Sequence, residues 1–297
     1  MAASSSEKPL FAQTKDLLKC FDLHARKRLG QHFLVNPGIL TQIINAAELT
    51  PSDLVLEVGP GLGVLTRELA RHSGWVIAIE LDSQLADLLT QTVADFTNIS
   101  IIRGDILKIE PLDLIEGKKN SFPPALHQTS NYKLIANLPY YITAPTIRLF
   151  CEARLKPQTM VLMVQKEVAQ NVVAQPGDLG IFAISVQFYG KPEIVSYVPA
   201  GNFYPRPKVD SAILKVNMYS QPLLKVSSEA SFFKIVRAGF CAARKQIGNS
   251  LSQGLDLPKK NVLAVLEQAG VSPEKRAETL SLEQWALLER TFSEANI

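Results

Sequence analysis

Asp53-Leu-Val-Leu-Glu-Val-Gly-Pro-Gly-Leu-Gly63 is the stretch that decides the architecture. Its short, almost continuous apolar run, closed by a Gly/Pro turn, reads as a buried strand. Val64 to Arg71 follows with helical spacing. Glycines at 59, 61 and 63 let the backbone of such a strand-to-helix turn approach a ligand and aim its amides there. In the dinucleotide fingerprint G-x-G-x-x-G the last glycine falls one residue later. A turn that is tight only for packing is the alternative reading.

The same rhythm continues on both sides. Trp75 to Glu80 reads as a second strand, Gln84 to Val93 as a helix and Ile99 to Arg103 as a third strand. Tyr132 to Asn137 is a fourth strand, Thr159 to Gln165 a fifth with a helix from Lys166, and Ala183 to Phe188 and Ser211 to Met218 are the last expected strands. Strands separated by helices imply an α/β fold with a parallel sheet covered on both faces. After about Ser220 the strand signal stops. Phe232, Phe233, Val236 and Phe240 recur at helical spacing, and Asn261 to Ala269 and Leu282 to Phe292 read as helices. The expected organisation is an extension over 1–22, an α/β domain over 23–219 and a small all-helical domain over 220–297.

Bulk properties restrict the class. Apolar residues make up 46% of the 297 and charged residues 20%, an ordinary globular balance that excludes a disordered or fibrous chain. No apolar run approaches the ~20 residues of a membrane-spanning helix, and Met1 to Pro9 lacks a signal-peptide core, so the cytoplasm is the default expectation and an organelle the alternative. Cys20, Cys151 and Cys241 are scattered without CxxC spacing, which predicts neither disulfides nor a metal site. The net charge is only +3, yet two acid-free stretches carry cations. Leu23 to Ala47 holds Arg26, Lys27 and Arg28, and Ser231 to Leu255 holds Lys234, Arg237, Arg244 and Lys245. Such islands suit phosphates, or they are plain solvated surface.

Two acids and one tetrad specify the chemistry. Glu80 ends the second strand, where a carboxylate can accept both hydroxyls of a ribose. Asp105 follows the third strand, placed to accept from an adenine amine; either acid could instead be a helix N-cap. Together with the glycine loop they describe a nucleoside crevice at the carboxyl edge of a sheet. Asn137-Leu138-Pro139-Tyr140 comes directly after the fourth strand, at the same edge. An exocyclic amine is a poor nucleophile because its lone pair is delocalised into the ring. The Asn137 amide oxygen and the Leu138 carbonyl could hold both amine hydrogens and favour a pyramidal nitrogen. Pro139 restrains Leu138 to an extended conformation, and Tyr140 offers a ring for stacking. A plain strand-to-loop turn is the bland alternative.

On these residues the chain resembles the ribosomal RNA adenine dimethyltransferase family, in its small-subunit branch. The resemblance runs from Arg26-Lys-Arg-Leu-Gly-Gln-His-Phe-Leu34 through the loop, Glu80, Gly104-Asp105 and the tetrad. It continues through Met163 to Val168, Phe203-Tyr-Pro-Arg-Pro-Lys-Val-Asp-Ser211 and Arg237 to Phe240 into Asn249-Ser-Leu251. It implies a Rossmann-like methyltransferase sheet that uses S-adenosylmethionine, with cofactor contacts at His32, Leu34, Gly59, Glu80, Asp105 and Asn137. Gly61 and Gly63 complete the loop. His32 departs from the asparagine usual in the family. Phe203 matches a second aromatic on the opposite face of the target base; a buried core phenylalanine is the other reading. The implied reaction is direct methyl transfer to two adjacent adenosines in the 3′-terminal loop of small-subunit rRNA, by a monomer acting on a pre-ribosomal particle. Arg26, Lys27, Arg28, Lys208, Lys234, Arg237, Arg244 and Lys245 are the expected RNA contacts, the last four near one face of a helix. A large-subunit rRNA methyltransferase and a non-catalytic assembly factor are the competing readings.

Overall fold

Leu54–Val58, the run read as a buried strand, lies inside a seven-stranded sheet with all five residues buried. The computed structural model describes residues 8–21, 30–127, 131–242 and 244–295. The chain divides into two units, Met1–Ala169 with Glu193–Met218 and Gln170–Pro192 with Tyr219–Ile297.

Along the chain come α1 (Leu10–Cys20), β1 (Phe33–Leu34), α2 (Pro37–Ala47), β2 (Leu54–Val58), α3 (Val64–His72), β3 (Trp75–Glu80) and α4 (Ser83–Thr92). β4 (Ile99–Arg103), α5 (Pro111–Lys118), β5 (Lys133–Asn137), α6 (Thr143–Glu152), β6 (Thr159–Gln165) and α7 (Lys166–Val172) follow. Then come α8 (Ile181–Tyr189), β7 (Gly190–Val198), β8 (Phe203–Tyr204) and β9 (Ser211–Met218).

The sheet order is β4-β3-β2-β5-β6-β9-β7. β2 pairs in parallel with both β3 and β5, and β6 extends the parallel set, while β9 runs antiparallel to β6. The chain moves outward from β2 to β4 and then returns to the other side of β2 as β5. That reversal opens a crevice beyond the carboxyl ends of β2 and β5, where ligands bind in open α/β sheets. Side chains of α2 and α3, among them Ile43, Ile44, Leu65 and Leu69, bury against Val55, Val76, Ile135 and Val161 of the sheet. Asn36 caps α2 by accepting from the Gly38 amide at 2.8 Å, and Asp82 caps α4 by accepting from Gln84 at 3.0 Å. β1 and β8 form a separate two-residue antiparallel ladder, Phe33 opposite Tyr204 and Leu34 opposite Phe203.

One expected strand is a helix. Ala183 to Phe188 lies within α8, and the strand in this region is β7, immediately after it. A short apolar run fits a buried helix as well as a buried strand, and here packing decides. The Phe188 ring meets Phe232 at 4.6 Å and Phe233 at 5.2 Å, so α8 belongs to the aromatic core of the second unit. That unit therefore takes in residues 170–192 as well as the C-terminal segment.

Its other helices are α9 (Glu229–Phe240), α10 (Ile247–Leu255), α11 (Lys259–Gln268) and α12 (Leu282–Glu294). Gly239 of α9 admits the Trp285 indole of α12 so closely that a Cβ there would lie 2.3 Å from the ring. A capping box at Ser281 and Gln284 starts α12.

Candidate active site

The crevice is built from four strand ends and one incoming segment. Its walls are the segment from Gly30 to Leu34, the glycine loop after β2, Glu80 and Leu81 at the end of β3, Gly104 to Ile106 after β4, and Asn137, Pro139, Tyr141 and Ile142 at and beyond the end of β5. Gly59, Gly61 and Gly63 have φ of +68°, +56° and +82°, conformations that an L side chain adopts only with strain. At Gly61 a Cβ would also press within 3.1 Å of the Phe33 ring.

Glu80 is buried and pins this loop. Its Oε2 accepts from the Gly61 amide at 3.1 Å, and its Oε1 accepts from the Asp82 amide at 2.9 Å. Burial raises its carboxyl above the ordinary range, and the two backbone donors work against that rise. Asp105 lines the same cleft and accepts from the Leu107 amide at 3.1 Å, so it also caps the short turn Ile106–Lys108. The capping role proposed as an alternative coexists with a place on the cleft wall.

Glu57 was not among the expected site residues. It is 1% exposed, lines the cleft and sits in the middle of an apolar strand. Its Oε2 has no hydrogen-bond partner among the described residues, and burial pushes the carboxyl up to about 8. The signal in the sequence was a lone acid inside Leu-Val-Leu-Glu-Val. Buried charge is costly unless a partner compensates it.

The tetrad after β5 presents its groups unequally. The Asn137 Nδ2 donates to the His32 carbonyl at 3.0 Å. That bond fixes which way the amide faces, and Oδ1 is the atom that can accept from an incoming donor. Leu138 turns its side chain into the core, and its amide donates to the Met163 carbonyl at 3.2 Å. Pro139 leads into a 3-10 turn over Tyr140–Ile142. The half-buried Tyr140 shares a 2.8 Å hydrogen bond with the Ser211 hydroxyl, and burial raises its phenol. Tyr141, a second residue outside the expected set, lines the cleft and is 52% exposed.

His32 ties three of these pieces together. Its Nδ1 donates to the Pro205 carbonyl at 2.7 Å, its ring stacks on Tyr140 with centroids 5.5 Å apart, and its own carbonyl holds Asn137. Its backbone contact to Asn137 needs no particular side chain. Leu34 lines the cleft while its side chain joins the core.

Phe203, like Tyr140, stands outside the residues that line the cofactor crevice. It is 3% exposed, packs in the cluster with Leu34, Ile39 and Met163, and does not line the cleft. The β1–β8 ladder turns it inward, while its neighbour Tyr204 points to the Phe11 ring at 5.6 Å.

Of the expected RNA contacts, Arg26, Lys27 and Arg28 lie outside the described residues. Lys208 is exposed in the loop between β8 and β9. Lys234 and Arg237 are exposed on α9, three residues apart. Arg244 and Lys245 do not continue their helix, because α9 ends at Phe240. The turn beyond it is tied down by the Ser250 hydroxyl donating to the Ala242 carbonyl at 3.0 Å and by Cys241 Sγ donating to the Ser250 carbonyl at 3.2 Å. Arg244 and Lys245 are exposed in that turn.

A sheet with this reversal, a glycine loop closed by a strand-end glutamate, and an Asn-x-Pro-aromatic tetrad at the same edge define a Rossmann-like methyltransferase. The family described as "Ribosomal RNA adenine dimethylase" matches residues 22–294, and the chain belongs to it. It is 50% identical over 292 residues to a "Ribosomal RNA small subunit methyltransferase A" of Dehalococcoides mccartyi, covering 98% of this chain and 97% of that protein. Among solved structures it is similar to a dimethyladenosine transferase from Plasmodium falciparum, with TM-score 0.75 and 29% identity over 90% of this chain and 99% of that one. The 23S rRNA methyltransferase ErmE is also similar, with TM-score 0.68 and 29% identity over 88% of this chain and 99% of that one.

Proposed function

We propose that this protein dimethylates the exocyclic amines of two adjacent adenosines in the 3′-terminal loop of small-subunit rRNA, with S-adenosylmethionine as donor, during ribosome biogenesis. The observation that carries this reading is the Asn137 amide, oriented by its bond to the His32 carbonyl and lining the same cleft as Glu80 and Asp105.

The cleft suits this cofactor on its own evidence. A buried carboxyl oxygen without a hydrogen-bond partner among the described residues, Glu57 Oε2, and a glycine loop in which a Cβ at Gly61 would crowd the Phe33 ring to 3.1 Å are features of a wall that takes a polar ligand. Glu80 and Asp105 would hold its ribose and adenine, with His32, Leu34, Gly59, Gly61 and Gly63 forming the remaining wall. When bound, S-adenosylmethionine supplies an electrophilic methyl group on a sulfonium.

The protein's own part is positioning. Asn137 Oδ1 and the Leu138 carbonyl accept the amine hydrogens, and Tyr140 stacks on the base. Holding two reactants in line is worth up to ~7–11 kcal/mol of barrier in favourable cases. Base stacking adds ~1–3 kcal/mol of affinity per base. Extruding the target adenosine costs less from a loop than from a duplex. Lys208, Lys234, Arg237, Arg244 and Lys245 on the described surface, and Arg26 to Arg28 beyond it, supply cations for phosphates.

Methyl transfer from labelled S-adenosylmethionine to small-subunit particles lacking the modification, run beside large-subunit rRNA, tests the proposal. Two adjacent dimethyladenosines near the small-subunit 3′ end are expected. Methylation of large-subunit rRNA alone would favour the specificity of the ErmE-like relatives, and no transfer despite cofactor binding would favour a binding role.

A further inference from the structure

We infer that Tyr197, with Lys166 beside it, is a stacking platform for a nucleotide of the substrate RNA next to the target base. The inference rests on the rRNA reading above. β7 is an edge strand of the sheet, and on its outward face Val195 is 41% and Tyr197 51% exposed. The Lys166 ammonium stands 5.3 Å from the centre of the Tyr197 ring. An exposed aromatic with a cation at its face is the chemistry that binds single-stranded nucleic acid: the ring stacks on any base, and the cation meets the phosphate.

The platform adjoins the tetrad. Lys166 follows Gln165, which pairs in register with Ser211, and the Ser211 hydroxyl is bonded to Tyr140 at 2.8 Å. The Lys166 amide donates to the Asp210 carbonyl at 3.0 Å, and the Asp210 carboxylate accepts from the Ala200 amide at 2.9 Å, so the loop between β8 and β9 closes over the end of β6. That loop carries Arg206 and Lys208, both exposed. A strand of RNA whose target base lies on Tyr140 therefore finds an aromatic face and three cations on the side of Tyr140 away from the cofactor crevice.

The test uses a fluorescein-labelled RNA hairpin carrying the small-subunit 3′-terminal loop, with the full-length protein and its Y197A, Y197F and K166Q variants. Hairpin affinity is read by anisotropy, S-adenosylmethionine affinity by calorimetry, and kcat and KM by methyl transfer. Y197A should weaken hairpin binding by between about 5- and 150-fold, the range set by one lost base stack. It should raise KM for RNA in step while leaving cofactor affinity and kcat at saturating RNA unchanged. Y197F should restore binding to near wild type, and K166Q should weaken it a few-fold with a shallower salt dependence. Unchanged hairpin affinity in Y197A, or an equal loss in Y197F, would overturn the platform while leaving the rRNA reading intact. Loss of affinity only for protein-containing particles would transfer this face to a protein partner. A wild-type protein that neither binds nor methylates the hairpin or the particles would overturn the rRNA reading, and the platform with it.

Discussion

Asn137 does its work through a division of labour within one amide. Nδ2 donates to the His32 carbonyl at 3.0 Å and so orients the amide, and Oδ1 accepts from the substrate amine. Replacing Asn137 with Ala removes that acceptor together with the bond to the His32 carbonyl, while the core residues stay in place. Transfer should fall at least ~100-fold, by analogy with loss of one preorganised polar group. Cofactor affinity should change only a few-fold and thermal stability little, as calorimetry and a melting curve would show. Glu57 makes a different prediction. Its carboxyl sits at about 8 in the folded protein against an ordinary 4.5, so the folded state holds a proton that the unfolded chain has released. The stability this group contributes is present below 4.5 and is lost as pH rises through about 8. Urea denaturation across that window should therefore show a decline in stability that the E57Q protein lacks; a matching decline in E57Q would refute the assignment.

The element that most affects the site is the smallest. β1 and β8 are two residues each, yet their ladder places His32 just before β1 and Pro205 just after β8, in hydrogen-bond contact. Phe203 anchors that ladder in the core. Phe203→Ala should cost about 3–5 kcal/mol of stability, as large truncations in cores do. Denaturation would register it as a shifted midpoint with an unchanged slope. If Phe203 instead served the base as a stacking face, the same substitution would leave stability intact and raise only the KM for RNA. Helix α8 teaches the converse lesson about legibility. Ile181-Phe-Ala-Ile-Ser-Val-Gln-Phe-Tyr189 has too few polar residues to show a period, so only its packing with Phe232 and Phe233 settles that it is a helix.

For the molecule as a whole, electrostatics sets RNA affinity. The net charge of +3 is too small for a global field, so binding should depend on local cations such as Lys234 and Arg237 on α9. Affinity for the rRNA hairpin should fall steeply with salt, and each charge-removing substitution at these two positions should reduce the log–log slope by about 1. Filter binding over a salt series would measure it, and an unaltered slope would remove α9 from the interface. Much of this protein was legible in its sequence because the information is local: hydrophobic period, turn glycines and the residue that ends each strand are read within a few positions. The βαβ series, the glycine loop, Glu80, Asp105 and Asn137 all belong there, since sheet topology brings strand ends to one edge whatever lies between them. What only the tertiary structure decided depends on contacts between distant residues. The inward turn of Phe203, the His32–Pro205 and His32–Asn137 hydrogen bonds, the unpartnered Glu57 oxygen, the helical state of residues 181–189 and the adjacency of Lys166 to Tyr197 are all of this kind. Burial and partner choice are properties of the packed chain, and no local pattern encodes which distant group will arrive.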